Sequence, residues 1–114
     1  MTATATRVHG HGFDRDTARL VRSYVDQVAQ LPWAQKVLVE KAKGGHPRVW
    51  TVISAPPFEF QFREAVFQAE LAARQAAPTV LVDFRLVNPE ELDHEAELTL
   101  PTDHAVVFER TPEV

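Results

Sequence analysis

Gln35-Lys36-Val37-Leu38-Val39-Glu40-Lys41-Ala42, followed by Lys43-Gly44-Gly45-His46-Pro47 and then Arg48-Val49-Trp50-Thr51-Val52-Ile53-Ser54, is the stretch that decides the fold. Val, Ile, Thr and Trp crowd both flanks, and β-branched and aromatic side chains suit a pleated, half-buried surface. Between them, two glycines tolerate positive φ and a proline stops the pairing. The reading is a hairpin of two strands over residues 35–42 and 48–54.

Working outward from the hairpin, an amphipathic helix precedes it. Asp14 stands where an N-cap belongs, and Leu20, Val21, Tyr24, Val25 and Val28 recur at helical spacing up to about Leu31, with Pro32 closing the segment. After the hairpin, Pro56-Pro57 ends the second strand, and a second helix is expected from about Phe60 to Gln75, halted by Pro78. Thr79 to Val87 alternates cleanly: Val80, Val82, Phe84 and Leu86 point one way, and Leu81, Asp83, Arg85 and Val87 the other. A helical turn within the acidic stretch 90–97 and a short strand at Ala105-Val106-Val107-Phe108 complete the order.

Residues 1–12 read as a flexible or edge-strand terminus, 13–110 as a single domain and 111–114 as a frayed end. The fold class is α+β: a two-layer sandwich of two helices on a four- or five-stranded, mainly antiparallel sheet. If Thr2, Thr4, Thr6 and Val8 pair as an edge strand, the order β-α-β-β-α-β fits the ferredoxin-like arrangement, with one strand added.

Composition bounds the function. A chain of 114 residues buries roughly two thirds of its unfolded surface in one core. It has no cysteine, which excludes disulfides and thiolate metal sites and permits a reducing compartment. No segment approaches the roughly 20 apolar residues that span a bilayer, and Met1–Thr6 lacks the charged and apolar regions of a leader, so the expectation is a soluble, cytoplasmic protein. The charge is divided: residues 1–50 hold eight Lys and Arg against four acids, and residues 51–114 hold four Arg against twelve acids. Such a division lets two copies meet basic side to acidic side, or lets one face seek a polyanion.

No catalytic signature stands out. There is no Gly-x-Ser-x-Gly elbow, phosphate loop or dinucleotide fingerprint, and the acidic stretch 90–97 lacks the spacing of a calcium loop. His9 and His11 are the only close histidine pair, and a zinc site needs a third ligand that His46, His94 or His104 would have to supply through the fold. A polar terminus accounts for the pair without metal, so neither a metal nor any other cofactor is expected. Asp83 and Arg85 leave the same sheet face of a hydrophobic strand and are the ligand-site candidates; an ion pair on a half-covered face is the plainer account. Arg15, Arg19 and Arg22 share one stripe of the first helix and form the polyanion-contact candidate, although Asp26 interrupts the stripe and no aromatic row accompanies it.

The second helix has two apolar sides. Phe62, Ala65, Val66, Ala69, Ala72 and Ala73 gather on one, and Phe60, Phe67 and Leu71 on the other, whereas a helix on a sheet needs only one. Phe60, Phe67 and Leu71 are therefore the protein-interface candidates, unless the first helix or the tail covers them. The leading expectation is a non-enzymatic protein-interaction module that self-associates or joins a larger assembly. A small-molecule binder or enzyme around Asp83 and Arg85 comes second, and weak nucleic-acid binding third.

Overall fold

In the computed structural model, residues 4–7, 13–41, 45–91 and 104–111 are described. Helix α1, Arg15–Val28, starts where Asp14 accepts a hydrogen bond from the Thr17 amide at 2.7 Å. That bond satisfies one of the amides a helix leaves unpaired at its start. The helix turns its buried stripe of Leu20, Val21, Tyr24, Val25 and Val28 toward the sheet. It ends at Val28, ahead of Pro32, with Ala29 as its C-cap.

Strands β2 (Ala34–Lys41) and β3 (Pro47–Ile53) form the antiparallel hairpin. Pro47 does not stop the pairing: it is the first residue of β3, opposite Lys41, a position where the missing N–H is tolerated. Helix α2, Phe60–Ala76, carries the chain over to β4, Asp83–Val87, which lies parallel to β3. The expected strand from Thr79 is shorter, because the ladder with β3 begins only at Arg48 opposite Asp83. Residues 79–82 lie outside that ladder, yet Val80 and Val82 still pack against the core. A 3-10 turn, Pro89–Glu91, follows β4, and β5 runs from Ala105 to Thr111. Strand β1, Thr4–Arg7, pairs antiparallel with β5, and β5 pairs antiparallel with β2.

The result is one mixed five-stranded sheet in the order β1-β5-β2-β3-β4, antiparallel except between β3 and β4. The element order is β-α-β-β-α-β with a fifth strand appended, and that strand sits between β1 and β2.

Both helices cover the same face. Val37, Val39, Val49, Ile53 and Phe108 of the sheet join the apolar stripe of α1 and Val66, Ala69 and Ala73 of α2 in one core. Tyr24 and Phe84 meet at 4.9 Å between ring centres, and Trp33 meets Phe62 edge-on at 5.1 Å. The Tyr24 hydroxyl and the Thr51 hydroxyl, both buried, satisfy each other at 2.5 Å. Burial pushes the Tyr24 phenol far above its ordinary range, so it is a neutral hydrogen-bonding partner at any physiological pH. Helix α2 lies close against α1 and farther from every strand.

Candidate functional site

On the face of the sheet away from the helices, side chains of β2, β3 and β4 lie in rows set by register. Glu40 stands opposite Arg48, and Arg48 opposite Asp83, giving a row that alternates in charge from β2 to β4. The next row is Leu38, Trp50 and Arg85. Arg48 donates to Glu40 at 3.3 Å and to Asp83 at 3.0 Å, and the Trp50 indole N–H donates to Glu40 at 2.8 Å. Arg85 turns back along its own strand and donates to Asp83 at 3.0–3.2 Å. The hydrogen bond from Arg85, joined by that from Arg48, holds the Asp83 carboxyl below its ordinary value against the opposing effect of burial.

Asp83 and Arg85 are thus brought together as expected, in a cluster that also holds Arg48, Glu40 and Trp50. Sequence reasoning misses those three because the rows depend on which strand β4 joins, and the only hint in the sequence is a charged residue near each end of an apolar hairpin. An open cleft of about 660 Å³ lies beside Asp83, lined by Leu71, Arg74, Val80 and Leu81 among others. Arg85 does not line it. The Asp83 carboxylate is an acceptor already occupied by two guanidinium groups, not a carboxyl free to exchange protons near neutral pH.

On the helix side, α2 presents the remaining candidates. Phe60 is 72% exposed, Phe67 52% and Leu71 39%, so neither α1 nor any other described segment covers them in the single chain. Phe58, just before the helix, is also exposed and adopts a φ of 62°. A bulky side chain rarely takes this left-handed conformation. It is held there by Glu91, which accepts a hydrogen bond from the Phe58 amide at 2.7 Å and pairs with Arg63. Asn88, buried, donates to the Ala55 carbonyl at 3.0 Å and further fastens the same connection to the end of β4. A second cleft, of about 370 Å³, runs between Phe60, Phe67 and Glu70 of α2 and Leu86 of β4. Burial raises the Glu70 carboxyl above its ordinary value, with Arg74 one turn away pulling it down.

Arg15, Arg19 and Arg22 are exposed on α1, and Asp16 lies 3.8 Å from Arg19, offsetting part of that charge. His9, His11 and His94 lie outside the described residues, as do residues 92–97 of the acidic stretch. Among the described residues no three His, Asp or Glu side chains converge as metal ligands, and no helix is long and apolar enough to cross a membrane. Comparison with protein-family models, curated proteins and solved structures gives no match.

Proposed function

We propose that this chain is a small, soluble, cytoplasmic and non-enzymatic protein-interaction module that self-associates through the outer face of α2. The observation that carries the reading is the exposure of Phe60, Phe67 and Leu71 on a helix whose opposite face is already built into the core. Scattered exposed apolar residues are normal, but large ones gathered on one helix face and joined by Phe58 mark an interaction surface. Phe67 and Leu71, one turn apart, contribute roughly 1.5–3 kcal/mol each when fully removed from water, enough to decide a modest association.

The test is a double substitution, Phe67→Gln with Leu71→Gln. Neither residue belongs to the buried core, so circular dichroism is expected to match the wild-type chain while light scattering falls to the monomer mass. A wild-type chain that is already monomeric at high concentration, or a double variant that still associates, overturns the proposal.

A further inference from the structure

Strand β4 is the last strand of the sheet, and among the described residues only β3 lies beside it. Its outer edge therefore offers backbone donors and acceptors for another strand, as sheet edges do. The clefts that flank it are walled by the exposed residues of α2, with Phe60 and Phe67 against Leu86 in one and Leu71 against Val82 and Asp83 in the other.

We infer that the partner is a second copy of this chain, added edge to edge along β4 in an antiparallel register centred on Phe84. This deepens the proposed self-association and rests on it. A two-fold axis perpendicular to the sheet keeps the helix layers of both copies on one side, so facing residues must share a face. Three centres bear on the charged pair, and they differ in outcome. Centring on Asp83 sets aspartate against aspartate, and centring on Arg85 sets arginine against arginine. Centring on Phe84 sets Asp83 opposite the partner's Arg85 and Arg85 opposite the partner's Asp83, while Leu86 meets the partner's Val82 on the helix side.

The rows of the open face argue for the same register. Glu40, Arg48 and Asp83 alternate in sign up to the edge, and within one chain Asp83 takes its second cation from Arg85 of its own strand. In the dimer the partner's Arg85 takes that place, and by symmetry each Arg85 exchanges its own Asp83 for the partner's, which extends both rows across the axis. Directly opposed unlike charges stabilise a strand pair and like charges destabilise it.

The experiment uses Asp83→Lys and Arg85→Glu, each alone and mixed. Alone, either variant places like charges opposite each other twice per dimer and is expected to weaken self-association roughly tenfold or more. Mixed, the introduced lysine of one chain faces the introduced glutamate of the other, and the native Arg85 of the first faces the native Asp83 of the second. Both contacts become complementary, so a heterodimer is expected at near wild-type concentration. Variants that associate as well as the wild type, or a mixture that stays monomeric, overturn the edge register and leave the α2 surface standing. A monomeric wild type overturns both. Should Asp83→Lys fail to fold, Asp83→Cys mixed with Arg85→Cys in this otherwise cysteine-free chain serves instead. The mixed disulfide should dominate over either homodisulfide, and the reverse or no crosslink refutes the register.

Discussion

Asp83 and Glu70 are two carboxylates whose surroundings push them in opposite directions, and the consequences for pH follow from the signs. Hydrogen bonds from Arg85 and Arg48 lower Asp83 from its ordinary 3.8, so the folded chain holds its charged form more firmly than the unfolded chain does. That contribution is present above the ordinary value and is lost as pH falls through the lowered one. Partial exposure keeps it small. Glu70 is raised from 4.5 by burial, so folding favours its neutral form; its contribution is complete below 4.5 and disappears as pH rises through the raised value. Denaturant titrations across the acid range should show Asp83→Asn removing part of the acid-side loss. Glu70→Gln should leave the chain more stable at pH 7 than the wild type. Arg85 and Asp83 are legible as a pair in the sequence because period two fixes their common face. Their partner Arg48 is not, since it lies 35 residues away from Asp83 and meets it only through the parallel register of β3 and β4.

At the scale of elements, the end of α1 is closed from outside. The last turn of α1 holds no basic residue to answer the partial negative charge at its C-terminus. Arg110 of β5 supplies the charge, donating to the carbonyls of Ala29 at 2.9 Å, Leu31 at 3.1 Å and Ala34 at 2.8 Å. Arg110→Ala is expected to cost about 1.5–3 kcal/mol in equilibrium unfolding, the usual worth of hydrogen bonds to a charged group. Arg110→Lys should recover only a minor part, because an ammonium lacks the planar fork that spans three acceptors. A full recovery by lysine would show that charge alone closes the helix. The periodic elements α1, α2 and the hairpin are readable because each carries its own pattern. Two boundaries move for reasons outside local pattern: the ladder with β3 starts only at Asp83, and Pro47 is admitted at the first position of β3. The two-sidedness of α2 is visible in its wheel, and Phe60 and Phe67 are exposed because Val66, Ala69 and Ala73 on the opposite side are the residues built into the core.

For the whole molecule, the lateral order β1-β5-β2-β3-β4 means that β1 touches the sheet only through β5, which comes last in chain order. Deleting residues 105–111 removes Phe108 and Val107 from the core, frees the end of α1 and strips β1 of its neighbour at once. The truncated chain is therefore expected to lose its cooperative unfolding transition by circular dichroism, not to persist as a smaller sheet. The same insertion bears on how the chain reaches its native state. A segment spanning α1 through β4 has only near neighbours to find, whereas β5 must return across the sheet to lodge between two strands that precede it by about a hundred and about seventy residues. Until it arrives, the β2 backbone that it will cover remains open to any passing strand. The hazard in making this protein thus lies in the interval before closure, when an unfinished edge in one chain can capture the late strand of another.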